Sequence, residues 1–197
     1  ALLRTALERD IPLVLDADAL NLIGADRELQ AILASRAAPS ILTPHPAEAA
    51  RMLGVSTAAV QADRLQAALD IAQRHRALAV LKGCGSIIAT ADGRWFINAS
   101  GHPGMASAGM GDVLTGLVVG LLAQGWPAER ALIAAVHLHG AAADRLAREG
   151  IGPIGLSASE TIDAARGVFN GWLIEAQQGS PRDKGHEARH LTARNGP

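Results

Sequence analysis

The sequence predicts an α/β fold in which a mostly parallel sheet carries an added β-hairpin. Three short apolar runs, at 11–18, 40–46 and 77–83, have the length and composition of buried parallel strands. Between them lie segments with apolar residues at helical spacing. A fourth stretch, 86–99, places an Asp-Gly pair between two runs of β-forming residues, which is a strong hairpin signal. Strands that alternate with helices in this way form a parallel sheet covered by helices.

The helices are expected from apolar periodicity and from residues that cap helix ends. Thr57 is typical of an N-cap and is followed by apolar residues at helical spacing, which predicts one long helix to about residue 76. Ser157 or Ser159 should cap the last helix in the same way. We expect helices at about 25–35, 47–53, 57–76, 112–124, 127–148 and 158–175.

Composition excludes several classes of protein. The chain has 197 residues, 49% of them hydrophobic, which is enough for one domain with a substantial core. Its net charge of -1 favours neither nucleic acid nor an acidic membrane surface as a partner. The longest apolar runs, 113–123 and 131–136, are too short to span a bilayer. A single cysteine, Cys84, suits a reducing compartment, so we expect a cytoplasmic protein.

The two ends of the chain suggest how the domain is organised. The first residue is Ala, and the opening segment ALLRTALERD resembles the second half of a helix. We therefore expect the chain to begin inside a domain that extends to residue 175. Residues 176–197 contain one Leu and no other large apolar side chain, so they should be disordered.

The glycine-rich stretch 104–116, GMASAGMGDVLTG, is the strongest candidate for a functional loop. Small residues let backbone N–H groups approach a ligand closely, and the helix that follows adds its positive N-terminal end. Together they would form an anion cradle suited to phosphate. Asp112 would then be placed to take a proton from a hydroxyl that attacks the phosphate. In the alternative interpretation, the glycines only shape a turn and Asp112 only caps the helix.

Other polar residues follow the three predicted parallel strands. In doubly wound sheets, ligands bind at the carboxyl edge, where these residues would meet. Each also has a structural interpretation, as a helix cap, a turn former or a solvated lysine at a strand end. The residues are Asp16, Asp18 and Asn21 after the first strand, His45 and Glu48 after the second, and Lys82 after the third.

His137 and His139 form a pattern that could suggest a metal pair. On a helix, however, residues two positions apart face different directions, so they cannot easily share an ion. We expect them to lie in the core or against a partner. Gly116 and Gly120 fit close helix packing within the fold, because their apolar run is too short for a membrane dimer.

Four motifs together resemble one known family. DADALNLI, TPHPAEAARMLG, LKGCGSII and GMASAGMGDVLTG, in this order and spacing, are similar to the ADP-dependent NAD(P)H-hydrate dehydratases of the ribokinase-like superfamily. The resemblance covers about residues 10–175. It implies a three-layer α/β/α domain, here lacking the family's N-terminal strands. It also implies that hydrated NADH or NADPH is dehydrated to the working cofactor, with ADP consumed and AMP and phosphate released.

The resemblance assigns roles to particular residues. Asp112 matches the catalytic acid-base residue, which also contacts the substrate, and Glu48 matches a residue that acts indirectly on the magnesium–phosphate site. His45 matches a contact to the hydrated nicotinamide and stands where related kinases have Asn. Mg²⁺ and ADP, or ATP, are the implied cofactor and co-substrate. The anion hole corresponds to Gly109, Met110 and Gly111, and the nucleotide site to Gly111 with Lys82, Gly83, Cys84, Gly85 and Ser86.

The sequence departs from the family pattern at three positions, Ala47, Ala108 and Met110. Ala108 matters most if its backbone needs a positive φ, where Ala costs about 1 kcal/mol. We expect a homo-oligomer, and in related bacterial proteins an epimerase domain precedes this one. Two other functions stay open: a ribokinase-like kinase of hydroxymethyl-pyrimidine or hydroxyethylthiazole type, and a nucleotide-binding domain without catalysis.

Overall fold

A five-stranded mixed sheet forms the centre of the structure, a computed structural model that describes residues 1–178. The first three strands are parallel, and the last two form an antiparallel hairpin against the third. In the order in which they lie in the sheet, the strands are β1 (Leu13–Leu15), β2 (Ser40–Leu42), β3 (Leu78–Leu81), β4 (Ile87–Ala89) and β5 (Trp95–Ile97). The predicted α/β fold with its added hairpin is confirmed.

Helices cover both faces of the sheet and produce three layers. The first six pack on one face, the next two on the other, and the last packs on those two. The helices are α1 (Leu2–Leu7), α2 (Asp18–Ala25), α3 (Arg27–Ser35), α4 (Pro46–Leu53), α5 (Thr57–Ala62), α6 (Arg64–His75), α7 (Met110–Ala123), α8 (Ala128–Arg148) and α9 (Ala158–Gln178). One 3₁₀ turn, Pro103–Met105, precedes α7.

Strands β2, β3 and β4 are buried on both faces, which explains their mostly apolar sequences. Ile41 and Val80 pack into the cluster formed with α7 and α8. Their neighbours Leu42 and Leu81 point the opposite way, into the cluster formed with the first six helices. Because side chains alternate along a strand, a strand covered on both faces needs apolar residues at every position.

The prediction of one long helix over 57–76 is wrong, because two helices, α5 and α6, occupy this range and are separated at Asp63. Asp63 leaves helical geometry, with φ of -142°, and its carboxylate accepts the Gln66 N–H at 2.9 Å. An aspartate side chain competes for backbone hydrogen bonds, which favours a cap over a helix interior. The first of the two resulting helices, α5, is capped by Ser56 and not by Thr57.

A helix was also missing from the sequence prediction. The predicted helix at 25–35 corresponds to α3, whose N-cap Asp26 accepts the Glu28 N–H at 2.8 Å. Before it lies α2, which begins at Asp18, a residue interpreted from sequence as a turn or cap former. The Ala17 N-cap makes no side-chain hydrogen bond to this helix, so the sequence offers no local start signal.

The last helix starts as predicted and runs slightly further. Ser157 is its cap: the Glu160 carboxylate accepts the Ser157 N–H at 2.9 Å, and the Ser157 hydroxyl accepts the Glu160 N–H at 3.4 Å. The helix continues to Gln178, three residues beyond the predicted end at 175. The predicted disorder of the tail lies, from residue 179 onward, outside the described residues. Within residues 1–178, no helix combines the length and apolarity needed to cross a membrane.

Candidate functional site

The carboxyl ends of the three parallel strands bring the predicted polar residues to one edge of the sheet. Asp16 directly follows β1, His45 lies three residues after β2, and Lys82 directly follows β3. The Lys82 N–H donates to the Pro44 carbonyl at 2.9 Å and so extends the pairing between the ends of β2 and β3. The sheet therefore places Lys82 at the centre of this edge.

An ion pair between Lys82 and Asp16 lies at the centre of the site. The Lys82 Nζ is 2.8 Å from Asp16 Oδ1 and 4.0 Å from Glu48 Oε2. The side chains of Lys82 and Asp16 are only 21% and 15% exposed. Burial by itself would raise the pKa of Asp16, but its hydrogen bond to Lys82 and the lysine charge outweigh burial and lower that pKa. Asp16 is therefore an anion throughout the neutral pH range.

Asp16 also connects β1 to helix α7. Its Oδ1 accepts the Ala17 N–H at 2.9 Å, and its Oδ2 accepts the Thr115 hydroxyl at 3.1 Å. Ala17 has a φ of +49°, a left-handed value that is unfavourable for a residue with a side chain. The sequence allows Asp16 to be either a residue of the ligand-binding edge or a turn former, and it gives no signal that Thr115 takes part. The structure instead gives Asp16 specific partners on three elements.

His45 and Glu48 form a reciprocal cap at the start of α4. The His45 Nδ1 accepts the Ala47 N–H at 3.1 Å and the Glu48 N–H at 3.3 Å, while Glu48 Oε2 accepts the His45 N–H at 2.8 Å. Because Nδ1 is an acceptor, the neutral ring carries its proton on Nε2, which lies 3.3 Å from Glu48 Oε1. Glu48 is buried, whereas the His45 side chain is 48% exposed. Both residues have the predicted structural role, and His45 is also accessible to a ligand.

The glycine-rich stretch ends in a helix N-terminus with available N–H groups. Gly109 is the N-cap of α7, with a φ of +83°, and its carbonyl accepts the Val113 N–H at 3.1 Å. The N–H groups of Met110, Gly111 and Asp112 precede this bond and have no intrahelical acceptor. They mark the positive end of the helix dipole.

Gly109 bears the positive φ in this loop, and Ala108 does not. Among the described residues, the positive φ values outside glycine belong to Ala17 and Arg76. The concern about strain at Ala108 therefore does not apply. The Met110 side chain is buried, and its sulfur accepts the Thr161 hydroxyl at 3.6 Å, so Met110 can offer a ligand only its backbone N–H.

Gly111 is the point where α7 meets the ion pair. A Cβ atom at this position would lie 3.4 Å from Lys82 Nζ and 3.6 Å from Asp16 Oδ2. The N-terminus of α7 therefore lies directly against the pair. Asp112, the next residue, is exposed in the first turn of α7, while Gly109 occupies the N-cap position. The site thus combines one exposed carboxylate, one lysine and the positive end of a helix.

The turn between β3 and β4 holds the segment that resembles a nucleotide site. Gly83 and Gly85 have φ values of +147° and +63°, which residues with side chains rarely adopt. The Ser86 hydroxyl accepts the Gly83 N–H at 3.2 Å and donates to the Gly83 carbonyl at 3.0 Å. Cys84 is exposed between the two glycines. The turn is therefore bridged by Ser86 and exposed at its tip.

Arg64 braces this turn and was missed by the sequence reasoning. Its Nη2 donates to the carbonyls of Leu81 at 3.3 Å and Gly85 at 3.4 Å. A Cβ on Gly83 would lie 2.6 Å from Arg64 Nη1, so the guanidinium packs directly on the glycine backbone. The helix start at Arg64 was hidden by the prediction of one continuous helix, and with it the position of this side chain.

The two histidines of α8 do not join the site. His137 is exposed and stacks on Trp172, with ring centroids 5.4 Å apart, whereas His139 is buried. They face different directions, as predicted. Across residues 1–178 there is no group of three or more His, Cys, Asp or Glu side chains that could hold a metal ion by themselves.

Comparisons with known proteins agree on one family. The family model described as NAD(P)H-hydrate dehydratase matches residues 1–164. The ADP-dependent (S)-NAD(P)H-hydrate dehydratase of Neisseria meningitidis is 48% identical over 161 residues, which cover 82% of this chain and 54% of that protein. The bifunctional NAD(P)H-hydrate repair enzyme Nnr of Coxiella burnetii is 42% identical over 170 residues, or 86% of this chain and 33% of that protein. The chain therefore spans about half the length of the first relative and about a third of the second.

Solved structures give the same fold. The ADP/ATP-dependent NAD(P)H-hydrate dehydratase from Bacillus subtilis, co-crystallized with ATP/Mg²⁺, superposes with a TM-score of 0.75 and 35% identity. The match covers 84% of this chain and 57% of that one. A ribokinase-like superfamily protein from Enterococcus faecalis matches with a TM-score of 0.63 and 24% identity over 87% of this chain and 66% of that one, which identifies the fold as ribokinase-like.

Proposed function

This chain belongs to the NAD(P)H-hydrate dehydratase family, and from that premise we propose that it converts hydrated NADH or NADPH back to the reduced cofactor. ADP supplies the phosphoryl group, and AMP and phosphate are released. One observation supports this proposal more than any other: the α7 N-terminus lies against the Lys82–Asp16 pair, with a Cβ on Gly111 only 3.4 Å from Lys82 Nζ. A lysine and free helix N–H groups at one point form a site for phosphate.

The proposed reaction needs a base and a stabilised phosphoryl group. Asp112, exposed in the first turn of α7, takes the proton from the hydroxyl of the hydrate as that oxygen attacks the terminal phosphorus of ADP. The bond from this phosphorus to the bridging oxygen breaks, and AMP leaves. The N–H groups of Met110 and Gly111, together with Lys82, stabilise the charge on the phosphoryl oxygens.

The second half of the reaction is an elimination. Hydroxide is a poor leaving group, whereas the phosphate ester formed in the first step leaves readily. The lone pair of the ring nitrogen pushes electrons toward the carbon that carries the phosphate, so that the carbon–oxygen bond breaks and free phosphate departs. The adjacent ring carbon then loses a proton, which the departing phosphate or water takes up, and the ring double bond of the reduced cofactor forms. The net change is hydrate plus ADP to reduced cofactor, AMP and phosphate, and the proton taken by Asp112 is returned to water.

The residues of the site fit a magnesium ion that is held mainly by the nucleotide. Mg²⁺ in such enzymes usually keeps several waters and binds one or two carboxylates together with substrate phosphates. Glu48 already accepts the His45 N–H at 2.8 Å, so its role near the ion is indirect. When bound, Mg²⁺ would offset negative charge on the phosphates. The Bacillus subtilis relative co-crystallized with ATP/Mg²⁺ supports this use of a nucleotide and the metal.

The remaining site residues hold the two substrates. We assign the turn from Lys82 to Ser86 to the nucleotide, because its glycine backbone is open and Arg64 adds a positive charge beside it. We assign His45 to the hydrated nicotinamide, since its ring is accessible and its neutral form can donate from Nε2. The finer expectations of a homo-oligomer and of an upstream epimerase domain remain proposals, the second supported by the bifunctional relative from Coxiella burnetii.

A direct assay tests the proposal. The purified protein is given hydrated NADH, ADP and Mg²⁺, and we expect the absorbance of reduced nicotinamide to return while AMP and phosphate appear in equal amounts. Parallel reactions with ATP identify the preferred donor. If the protein instead places a stable phosphate on a pyrimidine or thiazole alcohol and leaves hydrated NADH unchanged, it is a kinase. If it binds ADP and turns over neither substrate, the proposal of catalysis is wrong.

A further inference from the structure

The segment that leads into the anion cradle is attached to α8. This leading segment, residues 98–109, runs from the end of the hairpin to the N-cap of α7. Its first half makes three successive hydrogen bonds to neighbouring turns of one helix, so α8 fixes its position. The Ser100 hydroxyl donates to the His137 carbonyl at 3.0 Å, the Gly101 N–H donates to Asp144 Oδ2 at 2.8 Å, and His102 Nε2 lies 3.0 Å from the Ala143 carbonyl.

Two glycines let the backbones of this segment and α8 touch. A Cβ on Gly140 would lie 2.6 Å from the carbonyl carbon of Ser100 and 2.7 Å from its oxygen, distances that side chains do not tolerate. Across the contact, a Cβ on Gly101 would be 3.5 Å from the Gly140 Cα, and Gly101 has a φ of +99°. The crowding at Gly140 is against backbone, which cannot rotate out of the way as a side chain can.

We infer that Gly140 and Asp144 are positioning residues for the anion cradle. Gly140 sets how closely the leading segment approaches α8, and Asp144 fixes the peptide of Gly101 in that place. Only seven residues separate Gly101 from the cap at Gly109, and the Ser107 hydroxyl holds the second half by donating to the Leu156 carbonyl at 3.1 Å. A shift at the first anchor therefore reaches the N–H groups of the cradle, whose aim controls the reaction.

The expected effect on turnover rests on the proposed function, whereas the attachment of the leading segment to α8 does not depend on that function. Neither residue touches the Lys82–Ser86 turn in the structure's hydrogen bonds, so their effect should differ from that of a nucleotide contact. Asp144 acts here by accepting a hydrogen bond from a backbone N–H, which an asparagine oxygen can also do. A conservative replacement should therefore rescue what an apolar one loses.

The experiment compares two pairs of variants. Gly140→Ala is matched by Gly120→Ala, a glycine inside α7 whose Cβ would meet no atom within 4 Å. Asp144→Ala is matched by Asp144→Asn. We expect Gly140→Ala and Asp144→Ala to lower kcat on the order of tenfold or more, with the KM for ADP close to that of the unaltered protein. Asp144→Ala should keep the Tm, whereas the contact of the new Cβ with the Ser100 backbone should lower the Tm of Gly140→Ala. Gly120→Ala and Asp144→Asn should keep kcat.

Amide hydrogen exchange gives a readout that does not depend on turnover. In Gly140→Ala and Asp144→Ala, exchange should accelerate more in residues 101–111 than in the sheet. If these amides stay protected and kcat is kept, the inference is wrong. If exchange accelerates equally throughout the protein and the Tm of Asp144→Ala falls as well, the two residues serve general stability and the inference is also wrong. If the unaltered protein shows no dehydratase turnover, the proposed function fails, and local exchange alone decides whether α8 positions the cradle.

Discussion

Acidification should destabilise this protein well above the pH at which carboxylates titrate, because two histidines are buried without partners. His75, in the last turn of α6, is fully buried, and His139, in α8, is 7% exposed. Among the described residues, three buried ring nitrogens have no hydrogen-bond partner: both nitrogens of His75 and the Nε2 of His139. Burial lowers the pKa of each ring to about 4, and the Arg74 charge adds to this effect at His75.

The sign and size follow from the two pKa values of each ring. In the unfolded chain a histidine takes up its proton below about pH 6.5, whereas in the folded protein it does so only near pH 4. Between these values the unfolded state binds more protons, so the free energy of unfolding falls as the pH falls. The slope is about 1.4 kcal/mol per pH unit for each histidine. From about pH 7.5 to about pH 5.5 each ring should cost about 1.3 kcal/mol, and the pair about 2.6 kcal/mol.

Urea unfolding at these two pH values measures the effect. Between these two pH values the unaltered protein should lose unfolding free energy, which we call the acid loss. His75→Leu and His139→Leu should each remove about half of this acid loss, and the double variant nearly all of it. Since the rings lack partners, leucine should not lower stability at neutral pH through lost hydrogen bonds. His137→Leu, on an exposed histidine of the same helix as His139, is the matched control and should leave the loss unchanged. An equal acid loss in the double variant would refute the reasoning, and it would point to carboxylates as the source.

Two further predictions concern the site. Asp112→Asn should lower turnover about a hundredfold or more while ADP affinity changes much less, because it keeps the shape of the residue and removes the base. Asp163→Asn, on the exposed face of α9, is its control, and near-normal turnover in Asp112→Asn would leave Asp112 with no role beyond the helix terminus. Asp16→Asn and Lys82→Met should be coupled in a double-mutant cycle by about 1–3 kcal/mol, because their charged atoms lie 2.8 Å apart. Additive losses of unfolding free energy in urea would show that the two charges do not stabilise each other.

The strands and the hairpin were predictable because their signals are local. A strand buried on both faces shows as an apolar run, and the runs ending near Leu15, Leu42 and Leu81 are bounded by polar or glycine-rich segments. The hairpin was predictable from the Asp-Gly pair in its turn, because Gly93 has a φ of +91°, which glycine adopts easily. Such features need no knowledge of distant parts of the chain.

The break at Asp63 was a local signal that the sequence reasoning overlooked, whereas the other omissions come from features that are settled by tertiary contacts. The N-cap of helix α2 is an alanine with positive φ, Ala17, a geometry that no sequence rule favours; its N–H donates to Asp16. The partners of Asp16 lie 66 and 99 residues away along the chain, at Lys82 and Thr115, so no short window could pair them. The motif of His45 and Glu48 was visible from sequence, but whether it caps a helix, binds a ligand or does both depends on exposure. The sequence therefore identifies the loops of the site better than the contacts between them.

The Lys82–Asp16 pair explains how the proposed phosphate cradle can be stable before any anion arrives. The N-terminus of α7 is positive, and an unpaired lysine against it would be repelled by the helix dipole. The Asp16 carboxylate offsets this repulsion, and its lowered pKa keeps it charged across the neutral range. An incoming phosphate must share Lys82 with Asp16, which weakens that single contact. In return, the N–H groups and the lysine are already in place, and the anion does not have to order them. This balance favours a ligand that makes several contacts at once, such as the terminal phosphate of a nucleotide, over a simple anion.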